Sequence, residues 1–302
     1  MPDVALPPLP YDTWVDTRDT LHLFLQILGK IRLKAHPKLN HWWHVTLYPS
    51  ARGLSTGRIP YGDASFEIDY DMIDHKVIIS RNDGRQTGFD VAGGTVAQFY
   101  RETMRCLSAL GISVEIRAVP YDNKSTVPFA EDNAPRAYDK SAVAAYRRAL
   151  CWIADVFERF RSRFNGKQTP VHLYWHSFDL VVTRFSGKAH PLEGGTASDK
   201  EAYSHEVISV GFWPGDDSYP KAAFYGYAYP EPDGLADVPL KPASALWAEK
   251  NGGALAVFNY DDLLSEAEPK EALLDFLEAV YQGAGKKADW PLDEFRHQYS
   301  DI

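Results

Sequence analysis

Apolar residues recur with two different periods along this chain. Leu21, Phe24, Leu28 and Ile31 return every three or four positions, which predicts a helix from about Thr17 to Leu33 capped by Asp16 or Thr17. Val96, Phe99, Tyr100, Thr103, Leu107 and Leu110 form a second such stripe, with Thr95 placed to cap it and Gly111 to end it. Tyr146, Leu150, Ile153, Phe157, Phe160 and Phe164 form a third, closed by Asn165-Gly166. The last runs from Pro269 to Tyr281, with Leu273, Phe276, Leu277 and Val280 inward.

Between these stripes the period drops to two, the signature of strands. Trp43 to Tyr48, Phe66 to Asp71 and the return run Lys76 to Ile79 alternate in the first half. Val171 to Trp175, Phe178 to Arg184, Val207 to Trp213 and Phe224 to Tyr229 do so in the second. Strands grouped between helices, without strict βαβ alternation, predict an α+β fold with antiparallel sheets flanked by helices. Each half runs helix, strands, helix, which is compatible with two diverged repeats facing each other. The polar stretch Asn123 to Asp139 would then join halves 1–128 and 129–302, within one compact unit or as two.

Composition narrows the class. The net charge of -9 and the lack of any basic run put nucleic-acid binding well behind, so a small-molecule partner is the better expectation. The start has neither basic nor apolar regions of a signal peptide, and no run approaches the roughly 18 apolar residues of a membrane span. With two cysteines, Cys106 and Cys151, both inside predicted helices, a cytoplasmic location without disulfides is expected. The 8 Trp, 17 Tyr and 15 Phe suit either a large core or an aromatic-lined cavity.

Several polar-aromatic strings stand out: Asn40-His41-Trp42-Trp43-His44, Ser177-Phe178-Asp179-Leu180, Thr183-Arg184-Phe185-Ser186-Gly187, Glu201-Ala202-Tyr203-Ser204-His205-Glu206 and Gly211-Phe212-Trp213-Pro214-Gly215. In these blocks the chain resembles the bacterial domain-of-unknown-function family numbered 5996, over about Leu9 to Gly283. The resemblance implies no particular reaction.

Candidate chemistry therefore comes from the residues. No CxxC, HExxH, GxGxxG or GxxxxGK[ST] string is present. His172 and His176 would stand about 13 Å apart on a strand, too far to share one metal. A composite metal site from His172, His205 and Glu206, with His41 as a fourth candidate, holding a single iron, zinc or manganese ion, is the metal alternative. The metal-free alternative has His205 as base oriented by Glu206, with His41 beside them, and needs a bulge at Ser204-His205 because neighbours on a strand point apart. Glu206 and Arg184 each share parity with apolar residues, so a buried Glu206–Arg184 ion pair is the plain structural expectation. Trp43, Arg184, Tyr203, Tyr227 and Asp179 are the candidate ligand contacts. Tyr225, Tyr227 and Tyr229 fall on one strand face, which fits a packed sheet face more simply than a pocket lining. The expected function is binding of a small molecule in an aromatic-lined polar cavity, with or without catalysis at the His/Glu set. The competing reading is a non-catalytic sensor or an oligomerising module, with Trp42, Trp213 and Trp247 as interface anchors. The oligomeric state is left open.

Overall fold

The computed structural model describes residues 6–91, 93–250 and 252–297. Its first helix, α1 (Tyr11–Ala35), starts just after Pro10, so Asp16 and Thr17 lie inside it rather than at its cap. Burial of Tyr11 and Trp14 explains the extra turn. From Thr20 to Arg32 every residue of α1 is buried, which is the fate of a helix surrounded by other elements. Several of its polar members are hydrogen-bonded, while Lys30 lies over the Tyr121 and Trp175 rings. Gln26 accepts from the backbone N–H of Tyr121 and donates to the same residue's carbonyl, both at 2.8 Å, while Arg32 donates to Thr56 O.

The next elements are β1 (Tyr48–Ser50), β2 (Gly53–Ser55), β3 (Ile59–Tyr61), β4 (Ala64–Asp71), β5 (Lys76–Arg81) and β6 (Gln86–Asp90). They form one antiparallel sheet of order β1-β2-β4-β5-β6, with β3 also on β4. The strand expected over Trp43–Tyr48 is mostly absent. His41 and Trp42 have φ of 53° and 60°, and that left-handed pair winds residues 40–45 into a one-turn helix and bends before the strand starts. Helix α2 (Val96–Ala109) begins as expected, with Thr95 Oγ1 accepting from Gln98 N at 3.1 Å, and Gly111 takes a φ of 72° beyond its end. Residues 112–139 hold no helix or strand, and α3 (Lys140–Ser162) follows, capped by Asp139.

The second half adds β7 (His172–Tyr174), β8 (Asp179–Ala189), α4 (Ala197–Ala202), β9 (His205–Trp213), β10 (Ala223–Tyr229), β11 (Leu246–Lys250), β12 (Gly253–Asn259), α5 (Tyr260–Leu264) and α6 (Pro269–Lys287). Its strands form an antiparallel sheet of order β11-β12-β10-β9-β8-β7. Leu47 and Leu173 exchange backbone hydrogen bonds of 2.9 and 2.7 Å, which joins the two sheets at one point. With six helices and two antiparallel sheets of six strands each, the described residues form the expected α+β fold. Cys106 and Cys151 are free thiols, and no helix is long and apolar enough to cross a membrane.

The second sheet has two unlike faces. Leu180, Val182, Arg184, Ile208, Val210, Phe212 and Phe224 share one, and α6 covers it, with Val280 against Gly226. The other carries Asp179, Thr183, Phe185, Ser209, Gly211, Tyr225, Tyr227 and Tyr229, a polar-aromatic set. Alternation along each strand puts one kind of chemistry on each side.

Candidate functional site

The polar-aromatic face opens into a cavity of about 550 Å³. Its floor is the turn between β7 and β8. Phe178 has a φ of 62° and is fully buried, and its N–H donates to Tyr174 O at 2.8 Å. A large side chain in the left-handed region is strained, and such strain is retained where the surroundings impose it. Helix α1 imposes it here. The His22 ring stacks on Phe178 with centroids 5.2 Å apart, and Arg18 lies over the same ring. His22 Nε2 donates to the carbonyls of Trp175 and His176, each at 3.0 Å, and Nδ1 accepts from Asn123 Nδ2. The Trp175 indole lies directly on Gly29, where an added Cβ would fall 2.0 Å from its Cδ1. Burial, helped by the charge of Arg18, pushes the His22 pKa down to about 4, so the ring that holds this turn is neutral.

The turn delivers Asp179. Its carboxylate accepts from Ser177 Oγ and from the Tyr225 hydroxyl, and it is 9% exposed. Tyr225 reaches it by lying across Gly211, on the strand between them. Beside it the Tyr203 and Tyr227 hydroxyls are 2.8 Å apart. Burial pushes all three phenols up, and for Tyr225 the Asp179 charge adds to it, so they stay protonated donors. Trp213, with Lys250 5.3 Å over its ring, closes another side. The remaining wall includes Arg18, Asp19, Lys124, Asp216 and Glu231. Arg18 and Lys124 are paired with Asp19, and Lys124 also with Asp217. Neither hydrogen bond of Asp179 comes from a cation.

Of the residues expected at the site, Asp179, Tyr203 and Tyr227 line this cavity. Tyr225 lines it too, so part of the tyrosine face serves as pocket wall. Arg184 does not, because it lies on the opposite sheet face. There it donates to Phe160 O, with its guanidinium 3.5 Å from the Phe160 ring centre and 4.2 Å from that of Tyr281. That placement also replaces the expected Glu206–Arg184 pair, and Glu206 Oε2 is buried without a partner. His172 is fully buried beside Tyr174, with neither ring nitrogen bonded. The composite of His172, His205 and Glu206 is not assembled: consecutive residues of β9 point to opposite faces, and no group of three metal-binding side chains occurs among the described residues. His205 takes Ser204 Oγ as its neighbour at 3.0 Å, so Glu206 does not orient it. His41 and His205 are brought together, 5.5 Å between ring centres, with Trp43 beside His41, but away from the cavity lining. Trp213 is buried, and Trp42 and Trp247 are half-buried.

Arg18, His22 and Ser177 were not among the expected contacts. Arg18, His22 and Gln26 do carry a signal, polar residues four apart on an otherwise apolar helix. Ser177 carries none, because its role depends on a turn that the next residue's strained backbone makes.

Two antiparallel sheets and a buried helix define an α+β protein. The chain belongs to the family described as "Family of unknown function (DUF5996)", which matches residues 6–297. No curated protein and no solved structure matches it.

Proposed function

We propose that this protein binds a small organic cation in the cavity, with Asp179 as anchor and Tyr203, Tyr225, Tyr227 and Trp213 as its aromatic surround. One observation carries the reading: a carboxylate at the cavity floor, 9% exposed, is held by two hydroxyl donors and no cation. A buried charge without its opposite is costly, and an ammonium group entering the cavity would relieve that cost. Tyrosine and tryptophan faces add attraction for the same charge.

Saturation-transfer NMR with n-butylammonium and n-butanol, matched in length and differing in charge, tests this. The cation should bind saturably and the alcohol should not, and Asp179→Asn should abolish the signal. Equal binding of the two, or cation binding that survives the Asn variant, would overturn the reading.

A further inference from the structure

Farther along β8 from Asp179, and outside the cavity, Lys167 meets His41. Lys167 Nζ lies 2.7 Å from His41 Nε2, and it sits over the rings of Phe185 and Trp43 at 5.1 and 5.6 Å. His41 is oriented from behind, with Nδ1 donating to the Glu201 carbonyl at 3.2 Å. The His205 ring stands edge-on to it. Two consecutive left-handed residues, His41 and Trp42, hold the imidazole in this place. Such backbone is costly and persists where packing demands it. Lys167 is held as well, since its carbonyl accepts from Phe185 N at 3.0 Å, yet its side chain is exposed to solvent.

An amine touching a base that a third group orients is the arrangement of an activated nucleophile. We propose that Lys167 is a reactive amine that condenses with small aldehydes, with His41 as its proton acceptor. His41 Nε2 takes a proton from the ammonium, and the freed nitrogen lone pair forms a C–N bond to the carbonyl carbon, giving a carbinolamine. The imidazolium returns its proton to the carbinolamine hydroxyl, the C–O bond breaks and water leaves. A protonated imine on Lys167 remains, and no oxidant or reductant is consumed. Partial desolvation against the Phe185 and Trp43 rings lowers the proton affinity of Lys167, which favours its neutral amine, and burial together with the Lys167 charge lowers that of His41, which keeps Nε2 unprotonated and able to accept.

The test is reductive trapping on the folded full chain at pH 7, with propionaldehyde and cyanoborohydride, read by peptide mass spectrometry. Lys167 should gain its propyl group at least about tenfold faster than the exposed Lys188 and Lys200, a margin below the usual contribution of a positioned base. His41→Gln keeps an acceptor but cannot take a proton, and His41→Phe keeps only the ring; both should bring Lys167 down to the rate of the other two. Labelling of wild-type Lys167 no faster than Lys188 or Lys200 would overturn the proposal, whatever the variants do. A rate advantage unchanged in a folded His41→Gln protein would overturn the role of His41.

Discussion

The phenol of Tyr225 lies across Gly211 to reach Asp179, and a Cβ on Gly211 would fall 2.4 Å from its ring carbon Cζ. A glycine in the middle of a strand is thus the space through which one strand's hydroxyl serves another strand's carboxylate. Gly211→Ala should therefore displace the ring. The expected loss is about 1–3 kcal/mol, the usual cost of overpacking, read as a lower urea midpoint. Butylammonium binding should weaken with it.

Tyr225→Phe isolates the hydroxyl from the ring. It leaves Ser177 as the sole side-chain donor to Asp179. Hydrogen bonds to charged groups contribute about 1.5–3 kcal/mol, so the variant should lose stability in that range by urea unfolding. A loss under about 0.5 kcal/mol, the scale of ordinary surface substitutions, would show that the bond contributes little.

Stability should fall in mild acid. Burial pushes His22 to about 4 and His172 to about 3, against 6.5 in the unfolded chain. Above pH 6.5 both states hold the rings neutral and nothing is lost. Below it the unfolded chain takes up protons that the native rings refuse, so unfolding gains until pH reaches the native values. Between pH 6 and 5 the two rings together should contribute a slope of about 2 kcal/mol per pH unit. His172→Phe should remove about half of that slope. At pH 7 the same variant should stay within about 1 kcal/mol of wild type, because neither nitrogen it loses has a partner. Urea unfolding at pH 5, 6 and 7 measures both.

Arg184 gives a contrast between two substitutions. Its guanidinium is 1% exposed and lies among Phe160, Phe164 and Tyr281, and burial pushes its pKa down to about 10. Arg184→Ala would leave a cavity among three rings and remove a side-chain donor from the Phe160 carbonyl, which keeps only the Arg163 N–H, at a cost of about 3–5 kcal/mol. Arg184→Met fills the space and removes a buried charge, so its cost should stay near 1 kcal/mol. Thermal and urea unfolding of the pair should separate them clearly; equal losses would mean that charge, not volume, is what this position needs.

Much of the architecture was legible because periodicity is a local property. The stripe from Val96 to Leu110 and the alternation from Phe66 to Asp71 each needed only neighbouring residues to be read. The short strands β2, β3, β6, β11 and β12 escaped notice, since three to seven residues, some rich in Gly and Gln and others bounded by polar turns, show little alternation. The run from Trp43 to Tyr48 misled because its alternation is genuine, while its backbone is decided by contacts of His41 with Glu201 and Lys167, more than a hundred residues away.

The sequence by itself determined the α+β class, the positions of the long helices, and the grouping of Tyr225, Tyr227 and Tyr229 on one strand face. Those follow from the fixed geometry of helix and strand, which links spacing to side-chain direction. Only the tertiary structure decided that Arg184 belongs to the core, that His205 and Glu206 face apart, and that Asp179, with His22 and His176 rather than His41, His172 and His205, lines the cavity. That choice depends on which strands pair and on where α1 passes. Here it passes so that His22 grips the backbone of Trp175 and His176 and holds the next turn in place.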